Sequence, residues 1–451
     1  MLSPDFERRM QAFLGPEYPD FAAALEAPAS VSIRFNPFKP SDGNEPPLTP
    51  VPWHPQAFYL TERPVFTLDP LFHAGAYYVQ EASSMFLYEA LRQTVDFSKN
   101  LNVLDLCAAP GGKSTLLASM LSAGSLLVAN EVVRQRLGPL RENLEKWGIP
   151  NMAVACAAPE DFAGLEGWFD VVVVDAPCSG EGLFRKDPDA IGEWSPEQVD
   201  RCALRQRQIL PAAAAALAPG GVLAYSTCTF NRAENEENAA WLAHNFDLEL
   251  LQPGIPAGWG IAASEPGYRF YPHRLQGEGF YIALFRKKEN PRPLASASTG
   301  FRSLQPLPKK LLPELKGWLR ADWDVLFFQT PGGEILALPA SLEPGFRVLD
   351  KVLKNKWFGA NIGQFKGLDF IPSHALALSI LLHPDLPRVA LGREQALRFL
   401  KKEVFDLPPE RPASGWALAC YAGLPLGWMK ILRDRWNNYL PNERRIRMDI
   451  A

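Results

Sequence analysis

The chain has 451 residues, 47% of them hydrophobic, which is enough for about three domains with apolar cores. A formal net charge of −4 excludes a strong overall attraction to nucleic acid, so any contact with RNA depends on local basic patches. The 6 cysteines show no CxxC spacing and the 6 histidines are few, so we expect neither a disulfide framework nor a metal site.

Two stretches bear on a membrane or secreted location. Residues 1–15 carry acidic side chains and lack the apolar segment of a signal peptide. The uncharged run 209–231 contains prolines and a pair of adjacent glycines, so it predicts a helix end, a turn and a buried strand instead of a membrane span. We therefore expect a cytoplasmic protein that makes no membrane contact.

Residues 1–95 are predicted to form an N-terminal α+β leader domain. Apolar spacing predicts a helix over 4–26, and residues 31–38 predict a strand. The stretch 40–50, rich in proline, glycine and asparagine, predicts a loop.

Residues 96–290 are predicted to form a second domain in which strands and helices alternate. Such alternation is typical of a doubly wound parallel sheet, which binds ligands at the carboxyl ends of its strands. Short apolar runs predict buried strands at 101–106, 125–130, 152–156, 169–175 and 222–226. The intervening sequence predicts helices over 112–122, 133–147 and 196–217, and a terminal hairpin over 268–287.

Some predicted helix ends carry capping residues. Gly148 follows the helix 133–147 and suits its C-terminus. Ser195 and Gln198 form a capping box, with a proline at the first helical position. Asn231 with Glu234 predicts the start of a further helix in the same way.

The alternation ends beyond residue 290. We predict a linker and a small α+β module over 291–375, and a second small module over 376–451. Basic residues mixed with aromatic ones suit phosphate contacts and base stacking, although a solvated basic face has the same composition. They are Lys351, Lys354, Lys356 and Lys366 with Trp357, Phe358 and Phe365, and later Lys430, Arg433, Arg435, Arg444, Arg445 and Arg447.

A strand-to-helix turn in the central domain has the sequence DLCAAPGGKS, residues 105–114. Its small residues let a ligand approach the backbone, and the free N–H groups of the helix N-terminus suit an anion. A nucleotide phosphate and the carboxylate of a methionine moiety both remain possible. A P-loop would require glycine where this chain has Cys107, and a tight turn that binds no ligand has the same composition.

Two acids follow the next strands of the predicted sheet. Glu131 stands at the end of the second strand, where a carboxylate can accept both ribose hydroxyls. Asp161 follows the third strand and is placed to bond an adenine amino group. Each acid alone is common at a helix or loop start, but together with the turn they indicate an adenosyl ligand.

Two cysteines follow the fourth and fifth strands. Cys178 lies in DAPCSGEG and Cys228 in STCT, so we expect them side by side on the ligand face. A thiolate that adds to carbon 6 of cytosine makes carbon 5 nucleophilic, and a protonated Asp175 could favour this addition at ring nitrogen 3. The second cysteine could act as a base when the product is released. A single cysteine is more often a small buried residue.

These residues resemble the RNA cytosine-5 methyltransferases, a family with two active-site cysteines that includes bacterial rRNA methyltransferases and the eukaryotic NOP2/Sun proteins. DLCAAPGGKS, DAPCSGEG and STCT occur in the family's order and spacing, and the likeness covers roughly residues 30–288. SIRFNPFK (32–39) and GAYYVQEASSM (75–85) are similar to the family's leader segments.

The resemblance implies a Rossmann-like methyltransferase sheet, S-adenosylmethionine as the donor, Cys228 as the nucleophile and Cys178 as the residue that assists release. It places Lys186 near the substrate. It also implies donor-binding positions at Cys107, Ala108, Ala109, Pro110, Gly111, Gly112, Lys113, Glu131, Asp161 and Asp175.

Within this family the chain is most similar to RsmF-type 16S rRNA methyltransferases. The likeness rests on FRKDP (184–188), YPHRLQGEGF (271–280) and GLPLGWMKILRDRWNNYLP (423–441). It implies an RNA-binding leader, a C-terminal PUA-like RNA-binding domain, a monomer, and 16S rRNA or the small ribosomal subunit as partner. The alternatives are a tRNA cytosine-5 methyltransferase, a non-catalytic RNA-binding assembly factor and, more distantly, a P-loop NTPase.

Overall fold

The computed structural model describes residues 2–40, 48–288 and 300–449. Most of the predicted loop 40–50 and of the predicted linker after residue 290 lies outside these residues. The described residues form four β-sheets. Within them, no helix combines the length and the apolar character that crossing a membrane requires.

The N-terminal part contains four helices and a four-stranded sheet in the order β2-β3-β1-β4, and the apolar residues of its first two helices pack against the central part. Its elements are α1 (Pro4–Leu14), α2 (Tyr18–Glu26), β1 (Val31–Phe35), β2 (Thr49–Pro50), β3 (Ala57–Leu60), α3 (Pro70–Ala74), β4 (Tyr77–Val79) and α4 (Phe86–Arg92). The prediction of one helix over 4–26 was wrong, because Gly15 has φ 55° and begins a 3-10 turn. The predicted strand 31–38 ends at Phe35, two residues before Pro37, which cannot donate to a strand ladder.

The central part is the predicted doubly wound sheet. Its strands are β5 (Asn102–Asp105), β6 (Leu126–Asn130), β7 (Met152–Ala155), β8 (Phe169–Asp175), β9 (Leu217–Thr227), β10 (Leu248–Leu251), β11 (Ala262–Ala263), β12 (Tyr268–Phe270) and β13 (Phe280–Lys287). Its helices are α5 (Gly112–Met120), α6 (Leu137–Trp147), α7 (Pro188–Glu193), α8 (Pro196–Ala216) and α9 (Glu236–Asn245). The order is β11-β12-β13-β9-β8-β5-β6-β7, with β5 to β9 parallel.

The burial of this sheet explains its sequence. Val171–Val174 of β8 are fully buried, because helices cover both faces of a parallel sheet and its inner strands are continuously apolar. The predicted capping box of α8 is confirmed in part: Ser195 Oγ accepts a hydrogen bond from Gln198 N at 3.2 Å, but the Gln198 side chain accepts from Arg201 instead of bonding back to Ser195. The predicted cap at Asn231 was wrong: α9 begins at Glu236, and the Glu234 carboxylate accepts hydrogen bonds from Ser179 instead.

The C-terminal part contains two further sheets, ordered β14-β15-β16-β18-β19 and β20-β21-β22-β23. The first region has β14 (Gln305–Pro306), α10 (Leu312–Leu315), β15 (Val325–Gln329), β16 (Glu334–Pro339), α11 (Glu343–Val352), β17 (Lys356–Phe358), β18 (Ala360–Lys366), β19 (Asp369–Pro372) and α12 (His374–Leu378). The second has β20 (Arg388–Ala390), α13 (Arg393–Lys401), β21 (Gly415–Tyr421), β22 (Leu424–Ile431) and β23 (Trp436–Asn438).

Strand β17 leaves its own region and pairs antiparallel with β7, which extends the central sheet by one strand. This corrects part of the predicted basic cluster. Lys356 is buried in an ion pair with Asp350 at 2.8 Å, and Phe358 lies in the core. The ring of Trp357 packs against Arg141 of α6. These three side chains therefore lie at the seam between the central part and the C-terminal part.

Arg34 of β1 joins the N-terminal sheet to the central domain. It is fully buried, donates to Gln80 Oε1 at 3.0 Å and to Thr115 Oγ1 at 2.7 Å, and lies 4.6 Å from the Trp147 ring centroid. Burial lowers the pKa of Arg34 to about 9. The hydrogen bonds of its guanidinium to α5 fix the leader against the start of this helix.

We expect Arg34→Ala to lower the free energy of unfolding by roughly 3 kcal/mol, because it leaves buried acceptors unpaired and creates a cavity. Urea unfolding followed by tryptophan fluorescence measures this. The matched control is Arg8→Ala, which removes an arginine whose side chain is 75% exposed and which we expect to change stability by less than about 0.5 kcal/mol. Equal midpoints for both variants would contradict the prediction.

Candidate active site

The ends of β8 and β9 bring the two predicted cysteines together. Asp175 and Ser226 are register partners on these neighbouring parallel strands, and the cysteines follow three and two residues later. Cys178 Sγ and Cys228 Sγ lie 3.2 Å apart, which confirms that the two side chains share one site. Neither thiol is in a disulfide.

The two thiols differ in their electrostatic surroundings. The hydrogen bond to Cys228 raises the pKa of Cys178 well above its ordinary value, and burial raises it further. Cys178 therefore retains its proton and can donate it toward Cys228.

Lys113, from the start of α5, lies in the same site. Its ammonium contacts Asp175 Oδ2 at 2.7 Å, and Asp175 Oδ1 accepts a hydrogen bond from Ser226 Oγ at 2.9 Å. Burial lowers the pKa of Lys113, but the ion pair with Asp175 and the nearby Asp105 outweigh burial and raise this pKa. The site thus holds a fixed positive charge in the field of Cys228.

The turn 105–112 is held in place by hydrogen bonds from α6 and from the residues just before it. Gly111 has φ 112°, and the carbonyls of Ala109 and Pro110 accept hydrogen bonds from Arg136 and Asn143. Asp105 is fully buried; its Oδ2 accepts from Ser114 Oγ at 2.6 Å, while its Oδ1 has no hydrogen-bond partner within the described residues.

Burial raises the pKa of Asp105 to about 7. A cationic or hydrogen-bond-donating ligand beside the turn would satisfy this carboxylate. Burial and the nearby Asp105 also raise the pKa of Cys107, so the thiol of the turn stays neutral.

Glu131 and Asp161 occupy different surroundings. Glu131 is buried at the end of β6, where its Oε1 accepts from Val133 N at 2.8 Å and its Oε2 lies 3.3 Å from Arg136. Asp161 is exposed on the 3-10 segment Pro159–Leu165 after β7, and its Oδ2 accepts from Ala158 N at 2.9 Å. Asp161 therefore caps its own 3-10 segment, as isolated acids in such positions often do.

Lys186 is exposed, and its ammonium lies 4.0 Å from Glu278 Oε1. The neighbouring Arg185 makes the stronger contact. It is buried and forms a bidentate ion pair with Glu278, at 2.9 and 2.8 Å. This pair joins FRKDP to YPHRLQGEGF and so fixes the segment after the Cys178 loop.

Sequence reasoning missed two buried carboxylates behind the cysteines. Glu181 accepts hydrogen bonds from Arg9 of α1, Trp194 Nε1 and Phe230 N. Glu234 accepts from Ser179 N, Ser179 Oγ and Gln206 Nε2. Both acids lie within strings of polar residues whose tertiary partners the sequence does not indicate.

The basic residues at the C-terminus divide into two groups. Arg444 forms ion pairs with Glu142 and Glu145 of α6, so it joins the last module to the central domain. The others are exposed: Arg433 and Arg435 lie in the turn between β22 and β23, and Arg445 and Arg447 follow the 3-10 turn Asn442–Arg444. Lys430 of β22 lies over the Trp416 ring, 5.3 Å from its centroid.

Three family models match the chain. Residues 93–286 match a model described as 16S rRNA methyltransferase RsmB/F, and residues 2–82 match the N-terminal domain of 16S rRNA methyltransferase RsmF. Residues 386–446 match the methyltransferase RsmF PUA domain. The predicted architecture, a Rossmann-like methyltransferase sheet between an N-terminal domain and a PUA domain, is thereby confirmed.

Curated relatives span nearly the whole chain. Ribosomal RNA small subunit methyltransferase F of Cronobacter sakazakii is 32% identical over 453 residues, covering 94% of this chain and 92% of the relative. The protein of the same name from Pectobacterium atrosepticum is 33% identical and covers 94% and 91%. A solved structure of a methyltransferase homolog from Pyrococcus horikoshii is 29% identical, with a TM-score of 0.52, and covers 63% of this chain and 100% of that chain.

We expect Gly182→Ala to lower the free energy of unfolding by about 1–3 kcal/mol, because overpacking forces the backbone to shift. A Cβ at Gly182 would lie 2.8 Å from the Cys228 carbonyl oxygen and 2.5 Å from that of Gly279. Thermal unfolding measures the effect. Gly192→Ala is the matched control, since its Cβ meets no described atom within 4 Å; a loss of stability in the control as large as in Gly182→Ala would contradict the steric cause.

Proposed function

Since the chain belongs to the 16S rRNA methyltransferase RsmB/F family, we propose that it transfers a methyl group to carbon 5 of a cytosine in 16S rRNA, with Cys228 as the attacking thiolate. The observation that carries this proposal is the 3.2 Å contact between Cys228 and Cys178 at adjacent strand ends. A pair of thiols in contact suits a reaction that must both form and break a bond to carbon.

The residues at the strand ends fit S-adenosylmethionine as the donor. The unpartnered Asp105 oxygen suits a positively charged amino group, and the buried Glu131 suits ribose hydroxyls. The backbone of residues 107–112 would hold the methionine moiety, and the exposed Asp161 would contact the adenine. When bound, the donor supplies an electrophilic methyl group to a carbon nucleophile.

Cys228 would begin the reaction by adding to carbon 6 of cytosine, which makes carbon 5 nucleophilic. Two groups support the thiolate: the Cys178 proton and the ammonium of Lys113. Asp175 would favour this addition by hydrogen-bonding ring nitrogen 3 through a protonated carboxyl.

Cys178 would act at the end of the reaction. The hydrogen bond and negative charge of Cys228 are causes of its raised pKa, and both disappear once Cys228 is bound to the base. Cys178 can then release its proton to solvent and take the proton from carbon 5. The carbon 6–sulfur bond breaks, Cys228 leaves as a thiolate, and one proton is released overall.

Binding of the RNA would use surfaces beyond the strand ends. The exposed Arg433 and Arg435 lie in the turn between β22 and β23, and Lys430 of β22 lies over the Trp416 ring, a combination that suits phosphates and unstacked bases. Lys186, on the segment after the Cys178 loop, would contact the substrate near the site. The target cytosine would leave its stack to reach the sulfur atoms.

We expect Cys228→Ala to abolish transfer of a radiolabelled methyl group to 16S rRNA while donor binding, measured by calorimetry, remains. Cys202→Ala is the control, because Cys202 lies on α8 and outside the thiol pair, and it should transfer at nearly the wild-type rate. Methyl transfer by Cys228→Ala would contradict the assignment of Cys228 as the nucleophile. A wild-type protein that binds RNA but no donor would support the alternative of a non-catalytic assembly factor.

We expect Cys178→Ala to accumulate a covalent adduct with RNA in the presence of the donor, because attack by Cys228 continues while release fails. A denaturing gel with labelled RNA detects the adduct as a retarded band. The double variant Cys178→Ala/Cys228→Ala should give no band. Absence of the band from Cys178→Ala itself would argue against a function of Cys178 in release.

A further inference from the structure

A buried polar cluster lies directly behind the two cysteines. At its centre is Glu234, which is fully buried in the turn before α9. Its Oε2 accepts from Ser179 N at 2.9 Å, and its Oε1 accepts from Ser179 Oγ at 2.5 Å. The carboxylate therefore binds both polar groups of the residue that follows Cys178.

Gln206 of α8 completes the clamp on the other side of the same loop. Its Nε2 donates to Glu234 Oε2 at 3.1 Å and to Pro177 O at 3.0 Å. Asn238 and Tyr225 both donate to Gln206 Oε1, which fixes the amide orientation. Both neighbours of Cys178 in the chain are thus hydrogen-bonded to the pair Glu234–Gln206.

Cys228 is held by different contacts. Its carbonyl accepts from Gly182 N at 2.8 Å, and the preceding Thr227 is paired with Tyr281 of β13. The Glu234 carboxylate reaches the Cys228 side through Ser179 Oγ, which lies 2.9 Å from Thr229 Oγ1, and through Gln206, whose Oε1 lies 3.0 Å from the hydroxyl of Tyr225 on β9. Tyr225 also donates to the backbone carbonyl of Glu234, and this bond does not depend on the carboxylate. Loss of the carboxylate would therefore free the Cys178 loop more than the Cys228 strand, which keeps its pairing with β13.

We propose that Glu234 is a positioning residue that fixes Cys178 for release of the methylated base, and that it has little influence on attack by Cys228. This inference rests on the proposed function, since it requires Cys178 to assist release. Glu234 acts through Ser179 and Gln206 and touches neither sulfur in the contacts described.

The hydrogen bonds of this clamp do not require a negative charge at position 234. Burial raises the pKa of Glu234 to about 7, opposed by its bonds to Ser179. A glutamine there can accept from Ser179 N and Gln206 Nε2 with its oxygen and donate to Ser179 Oγ with its amide. Glu234→Gln should therefore preserve the position of Cys178, whereas Glu234→Ala should not.

The test uses the full-length protein, 16S rRNA and S-adenosylmethionine in single-turnover reactions. It measures two quantities: the rate at which the covalent adduct forms and the rate at which it decays to free methylated RNA. We expect Glu234→Ala to slow decay roughly 10–100-fold, as a displacement of about 1 Å can do, and to leave the rate of adduct formation nearly unchanged. Glu234→Gln should decay like the wild type.

Ser179→Ala is a second, milder variant that tests the same clamp if Glu234→Ala misfolds. It removes one hydroxyl, keeps the Glu234–Gln206 bond and the Ser179 backbone N–H, and should also accumulate adduct. Equal slowing of formation and decay in Glu234→Ala and Ser179→Ala would overturn the inference, as would normal decay in both. Slow decay in Glu234→Gln would show that the charge itself is needed and would overturn positioning through hydrogen bonds.

Cys178→Ala, run in parallel, separates this inference from the proposed function. If Cys178→Ala accumulates adduct and the Glu234 and Ser179 variants do not, only the positioning function fails. If Cys178→Ala itself forms and resolves the adduct normally, the release function fails, and the inference fails with it.

Discussion

The parallel pairing of β8 with β9 is the constraint on which the site depends. It sets Asp175 opposite Ser226, and the two short segments that follow then bring Cys178 and Cys228 to 3.2 Å. A parallel pair has no hairpin to hold it, so its alignment comes from α8, which crosses between the strands, and from the apolar residues buried on both faces. The strand alignment that brings the sulfur atoms within reach of each other thus follows from core packing.

Packing alone does not hold the loops beyond the strand ends, because these contain small and polar residues. Buried ionic and polar groups do so instead. Glu181 accepts from Arg9, Arg185 pairs with Glu278, and Arg269 pairs with Glu236. Burying such charges is costly, so the pairs add little net stability. Removing one partner, however, leaves the other charge buried and unpaired, which is strongly destabilising. They therefore specify one arrangement of the loops more than they stabilise the fold.

The sequence predicted the central sheet well because local signals there agree with the tertiary structure. The apolar run of β8, the Ser195 cap and the glycine turn all predict elements that the structure has. It also predicted that Cys178 and Cys228 meet, since strand order and the ligand edge follow from the alternating pattern. The roles assigned to these residues, and to Glu131, Asp161 and Lys186, remain predictions.

The failures concern residues whose partners are distant in sequence. Glu234 resembled a helix cap, but its carboxylate binds Ser179, 55 residues earlier. Lys356 resembled a phosphate ligand in a basic cluster, but β17 carries it into the seam beside β7, where Asp350 neutralises it. A local pattern cannot distinguish an exposed charge from one that a distant strand buries.

The seam between the central part and the C-terminal part would also affect which part of a bound RNA reaches the site. β17 hydrogen-bonds to the edge of the central sheet, and Arg444 joins the last module to α6 through Glu142 and Glu145. Because a continuous sheet and partly buried ion pairs resist rotation, we expect the exposed arginines in the turn between β22 and β23 to keep one distance and direction from the cysteines. An RNA bound by those arginines can offer only the nucleotides that this fixed span reaches, so choice of the target base would depend on the fold of the RNA as well as on the pocket at the strand ends.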